Sequence, residues 1–184
     1  MFEQRLAEDP SDTSAAPAGG AGARPTVRFY LDDLHVGQRF TCGSATVDEA
    51  AVKAFAAEFD PQPFHLDEAA ARVSVFGGLV ASGWHTASLS MRLLVEGGLP
   101  IAGGLVGAGG EIAWPRPTRP GDVLSVESEV LDVAPSKSRP DRGIATVRCE
   151  TRNQHGEALQ VATFKLMVPR RPAAAVTGGP ESRP

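Results

Sequence analysis

Polar and apolar residues alternate with period two from Val123 to Val133. Leu124, Val126, Ser128 and Val130 fall on one side, and Val123, Ser125, Glu127 and Glu129 on the other. That period predicts a half-buried strand. Further long strands are expected over 144–153 and 159–168, joined by a turn at Gln154-His155-Gly156-Glu157, with a first strand over 39–46. Between these the period changes. Asp48 is a good N-cap, and Val52, Phe55, Ala56 and Phe59 then recur at helical spacing. Asp67 is expected to cap a short second helix over 68–72. A long helix is expected over 79–95, with Val80, Trp84, Ala87, Met91 and Leu94 as its apolar face. Leu89, Leu93 and Val95 widen that face, so the helix is expected to be buried. The order is strand, helix, loop, long helix, then a run of antiparallel strands. It predicts one α+β domain, an antiparallel sheet packed with a long, buried central helix.

Composition narrows the class. Of 184 residues, 42% are hydrophobic and 22% charged, ordinary for a soluble globular chain. A net charge of −4 disfavours nucleic acid as the main partner, because phosphate binding needs concentrated Lys and Arg. Residues 1–28 and 169–184 read as disordered tails, the first rich in Ala, Gly, Pro and Ser. Without an apolar h-region near the start the first tail does not read as a signal peptide. No apolar run approaches the roughly 18 residues of a membrane span, so a cytoplasmic protein without a membrane partner is expected. Cys42 and Cys149 fit no metal or redox spacing and read as ordinary thiols.

The chemistry concentrates in Glu58-Phe59-Asp60-Pro61-Gln62-Pro63-Phe64-His65-Leu66-Asp67. An acid and an imidazole stand five residues apart with two prolines between them. Proline fixes φ and lacks an N–H, which excludes a helix interior or central strand. A stiff loop can turn both side chains inward, and a carboxylate and a histidine sharing one water make an acid–base site. A plainer reading makes Asp60 the end of the preceding helix and His65 an ordinary histidine. Asp60, His65 and Asp67 are also conceivable metal ligands, but no second histidine stands at ligand spacing. His35 and His155 read as solvated turn residues, and His85 as a satisfied core or interface histidine.

The stretch Phe59 to Glu68 resembles the hydratase motif of the MaoC-like, R-specific enoyl-CoA hydratases, Gly-Asp-x-Asn-Pro-x-His. Asp60, Pro63 and His65 match, while Phe59 replaces the glycine and Gln62 the asparagine. Val36-Gly37, the Gly77-Gly78 region and the link from Trp114 to Asp122 extend the resemblance over about 29–168. It implies a single hotdog domain, pairing into a homodimer or higher homo-oligomer with a pantetheine tunnel at the interface. It further implies Asp60 and His65 as the catalytic pair, Gln62 and Pro63 as loop support, and Gly78 as the backbone donor to the thioester carbonyl. Gly77 stands where the family usually has histidine. The reaction implied is hydration of a trans-2-enoyl-CoA to a (3R)-hydroxyacyl thioester, with no metal or other cofactor and the coenzyme A thioester as substrate. A hotdog acyl-CoA thioesterase and a non-catalytic acyl-thioester-binding subunit are the alternatives. Asp60→Asn is expected to leave stability nearly unchanged or raised.

Overall fold

A computed structural model of the protein describes residues 28–172. The expected tails lie outside these residues, apart from Arg28 and 169–172. Five strands form one antiparallel sheet: β1 (Arg39–Thr46), β2 (Val106–Ala113), β3 (Val123–Pro135), β4 (Arg142–Arg152) and β5 (Ala158–Pro169). Their order across the sheet is β1-β3-β4-β5-β2. Four helices are interleaved: α1 (Glu49–Phe59), α2 (Pro63–Leu66), α3 (Glu68–Val73) and α4 (Gly83–Leu93). The last runs into a wide π-type turn, Leu94–Gly98.

The period-two reading of β3 holds from Val123 to Val130, and a register shift between Val130 and Asp132 ends it there. Leu124, Val126, Ser128 and Val130 are buried. Val130 faces Val147 of β4 across the ladder, and Cys149 faces Ser128. Val147, Val168, Leu93 and Leu94 complete the same core, so α4 and its terminal turn pack on one face of the sheet. Each such Val or Leu contributes roughly 1.5–3 kcal/mol when fully buried. The opposite face carries alternating charge: Arg39 pairs with Glu127 at 2.7 Å and Glu129 at 2.9 Å, and Arg148 with Glu150 at 2.7 Å. These exposed pairs hold register more than they add stability.

Side-chain contacts continue just past residue 168. Arg170 bonds Asp32 at 2.6 Å and Arg171 bonds Asp33 at 2.7 Å, tying the segment after β5 to the first turn, Leu31–Asp33.

The central helix departs from expectation in start and in face. It begins at Gly83, not Leu79, because Gly77 adopts φ +65° in a turn after α3 and 79–82 are non-helical. Its buried residues are His85, Thr86, Ser90 and Leu93, whereas Trp84 is 61% and Met91 41% exposed. Hydroxyls occupy the core side because each finds a partner there: Thr86 bonds Thr118 at 2.9 Å, and Ser90 bonds Thr151 at 2.7 Å. Burying a hydroxyl is costly only when it is unpaired.

His85 is a core residue but not a satisfied one. Its ring stacks on Phe55 with centroids 4.8 Å apart and planes 6° from parallel. Its Nδ1 is buried without a hydrogen-bond partner among the described residues. Burial, reinforced by the Arg92 charge, lowers its pKa below the ordinary 6.5. The unfolded chain then binds more protons as pH falls below about 6.5, so stability is lost over that window and is fully present above it. His85→Phe keeps the stack and removes the orphaned nitrogen. Thermal melts are expected to show this variant more stable by about 1–3 kcal/mol, the cost of an unsatisfied buried polar group. The wild-type loss of stability between pH 7 and pH 5 should also flatten; an unchanged slope would assign that acid sensitivity to other groups.

Candidate active site

Helix α1 delivers Asp60. Asp48 caps its start by accepting from the Ala51 N–H at 2.8 Å, and the Asp60 N–H closes its end on Ala56 at 3.0 Å. Pro61 forces the chain out of the helix, and Gln62 becomes the N-cap residue of α2 with Pro63 at its first position. Proline suits that position because its missing N–H would have had no acceptor there. His65 therefore sits on a one-turn helix rather than in an open loop, and is 5% exposed. The plainer reading of Asp60 as a helix end and the functional one hold together: the backbone caps while the side chain turns inward.

The two side chains meet. His65 Nε2 lies 3.4 Å from Asp60 Oδ2. Nδ1 of His65 stands 2.8 Å from the Val80 carbonyl, which can only accept, so Nδ1 carries the proton. In the neutral ring Nε2 then holds a lone pair facing the carboxylate. Asp60 Oδ2 accepts from the Ser82 hydroxyl at 2.6 Å and Oδ1 from the Gln62 amide at 2.8 Å. These two bonds, the Ser82 one first, with the His65 charge as a smaller aid, hold the Asp60 carboxyl below the ordinary 3.8. It is ionised at neutral pH. The Asp60→Asn expectation changes accordingly: the carboxylate is hydrogen-bonded rather than repelled, and its removal is expected to cost stability.

A cavity of about 480 Å³ opens onto the pair, walled by Phe64, Phe76, Trp84 and Trp114. Its size suits a small-molecule group. Thr118, Gly83 and Arg116 also line it. As first residue of α4, Gly83 has a backbone N–H with no intrahelical acceptor, at the positive end of the helix dipole. A Cβ at Gly83 would stand 2.9 Å from Cε2 of Trp114, so the tryptophan wall requires glycine there.

Of the residues singled out from the sequence, Asp60, His65 and Gln62 converge on the cavity, and Pro63 starts the helix that carries His65. Gly78 is not among the residues lining this cavity. It lies in the turn before α4, against Arg119, whose Nη2 bonds the Phe76 carbonyl at 2.7 Å. The helix N-terminus expected at Gly78 is at Gly83. Asp67 spends its carboxylate on the Ala70 N–H at 2.7 Å, as a cap. Ser82 and Gly83 were missed, although Ser-Gly before a helical run is itself an N-terminus signal.

Known proteins place this architecture. The family model described as a MaoC like domain matches residues 35–153. A solved MaoC-like dehydratase from Rhodospirillum rubrum superposes with a TM-score of 0.78 at 61% identity, covering 79% of this chain and 99% of that one. The (R)-hydratase from A. caviae involved in PHA biosynthesis superposes with a TM-score of 0.61 at 31% identity, covering 74% of this chain and 98% of its own. The Bacillus subtilis protein YdeM is 38% identical over 127 residues, 67% of this chain and 87% of its own length. Matched along most of the domain and sharing its hotdog architecture, the chain belongs to the MaoC-like dehydratase family.

Proposed function

We propose that the protein adds water across the trans-2 double bond of an enoyl-CoA thioester to give a (3R)-hydroxyacyl thioester, and catalyses the reverse dehydration. The carrying observation is the convergence, at one apolar-walled cavity, of the Asp60 carboxylate and His65 Nε2, 3.4 Å apart. A water entering that space donates one O–H to Asp60 and the other to His65, leaving its own lone pair for the β-carbon. Attack moves charge onto the thioester oxygen. On this reading the Gly83 N–H, with the α4 dipole behind it, receives that charge. The proton taken from water returns at the α-carbon, so atoms and charge balance without another reactant. The A. caviae relative bears the name (R)-hydratase, which supports the reaction class and its hand.

The experiment is an assay on a panel of trans-2-enoyl-CoA esters with a free-thiol readout beside it. Loss of enoyl absorbance without thiol release is expected. Thiol release would select the thioesterase reading, and binding without turnover the acyl-thioester-binding one.

The same reading includes a homodimer. Trp84, Met91 and Val95 form an exposed stripe along α4 and its terminal turn, 61%, 41% and 59% exposed. At one end of the sheet β2 is an edge strand, exposed over most of its length, with ladder groups open on one side. A second copy covers both. Light scattering at micromolar concentration should give twice the chain mass; a monomer there would sink this part.

A further inference from the structure

We propose that Ser82 is a positioning residue that fixes the Asp60 carboxylate and ties it to the first turn of α4. Its kinetic consequence rests on the hydratase reading, but its geometry does not. The segment Val80-Ala81-Ser82 is extended, with Ser82 at φ −55° and ψ 142°. Its middle is pinned by the Ala81 N–H donating to the Thr118 carbonyl at 2.8 Å. On either side of that pin, alternate residues hold the two members of the pair. The Val80 carbonyl accepts from His65 at 2.8 Å, and the Ser82 hydroxyl donates to Asp60 at 2.6 Å. One short segment thus sets the ring tautomer and the carboxylate orientation, and the next residue is Gly83.

The bond to Asp60 is separate from helix capping. As N-cap, Ser82 uses an oxygen lone pair to accept the Trp84 N–H at 3.2 Å. The hydroxyl proton is left over, and it goes to Asp60. Aspartate would cap equally well but would set a second carboxylate against the first, so capping alone does not explain serine. Ser82 is wholly buried, which keeps water from replacing its donation. Losing the donor frees Asp60 to rotate about its side-chain bonds. It also removes the largest influence holding the carboxyl in its charged form.

The test compares Ser82→Ala, Ser82→Gly and Ser82→Thr with wild type. Glycine is an acceptable N-cap and threonine a good one, so the glycine variant separates loss of the donor from loss of the cap if the alanine variant folds poorly. Two readouts are taken: the pH profile of kcat/KM on an enoyl-CoA, and the carboxyl ¹³C titration of Asp60 by NMR without substrate. In the Ala and Gly variants the Asp60 titration and the acid limb should move to higher pH. Their kcat should fall roughly ten- to hundred-fold with little change in KM, as for a misplaced catalytic group. Ser82→Thr should restore both. An Asp60 titration unmoved in the Ala and Gly variants would overturn the proposal and leave Ser82 a helix cap. So would a Thr variant that titrates like Ala. If wild type hydrates nothing, the hydratase reading fails by itself, and the NMR titration still decides the role of Ser82.

Discussion

Asp60→Asn is expected to lower enoyl-CoA hydration by at least about two orders of magnitude, the low end of what a placed acid–base group supplies. Asparagine keeps the outline of the side chain but cannot take a proton from water. His65→Ala should cost a similar factor. The double variant should cost little more than either single one, because the two groups hold one water between them and act as a unit. Stability moves as well. The Asp60 carboxylate accepts from Ser82 and Gln62, both donors. Asparagine offers one acceptor oxygen in place of two and turns an NH₂ toward one of those donors. A loss of about 1.5–3 kcal/mol is expected, the range for hydrogen bonds to a charged group. The pH dependence fixes the sign. The folded pKa is lowered from 3.8. The stability Asp60 contributes is therefore present above about 3.8 and lost as pH falls through the folded value. Thermal melts of wild type and variant should converge at strongly acid pH and separate at neutral pH. An Asp60→Asn protein with normal specific activity would make the pair structural and end the hydratase reading.

The strands and the approach of Asp60 to His65 were legible in the sequence for the same reason: each is carried by local spacing. Leu124 to Val130 declare their face by alternation, and Pro61 rules out one continuous helix from Asp60 to His65, while Pro63 starts the new turn that carries His65. What was missed depends on contacts between distant positions. Ser82 acquires its role only when the fold lays it on Asp60, twenty-two residues earlier in the chain. The doublet Gly77-Gly78 drew attention from Gly83 because glycines look alike in one dimension. In three dimensions Gly77 supplies a left-handed turn, while Gly83 makes room for Trp114. The central helix misled in a further way. The spacing of its large apolar residues points to Trp84 and Met91 as the buried face, but the sheet side is occupied by hydroxyls whose partners, Thr118 and Thr151, lie on later parts of the chain. The exposed aromatic and methionine positions are instead left for the cavity wall and, in the proposed dimer, for a second copy.

Gly83 separates these possibilities more sharply than any other position in the helix. Gly83→Ala adds a Cβ 2.9 Å from Cε2 and 3.0 Å from Cδ2 of the Trp114 ring. That ring is held by its Nε1–H on Gln160 at 3.0 Å and by edge contact with Trp84 at 5.4 Å between centroids. It must shift, so the cavity wall moves and KM should rise, with a change in tryptophan fluorescence reporting the displacement. Gly83→Pro adds a similar Cβ and also removes the N–H. The first position of a helix is where proline is best tolerated. Ser82, at φ −55° and ψ 142°, already has the geometry required of a residue before proline. Folding should therefore survive, as circular dichroism would check. The comparison of proline with alanine then isolates the one backbone donor. If the Gly83 N–H receives the thioester oxygen, Gly83→Pro should fall below Gly83→Ala in kcat by about 10²–10³-fold, the usual effect of losing one oxyanion donor. Equal kcat in the two variants would move that role away from the start of α4 and return attention to the turn at Gly78.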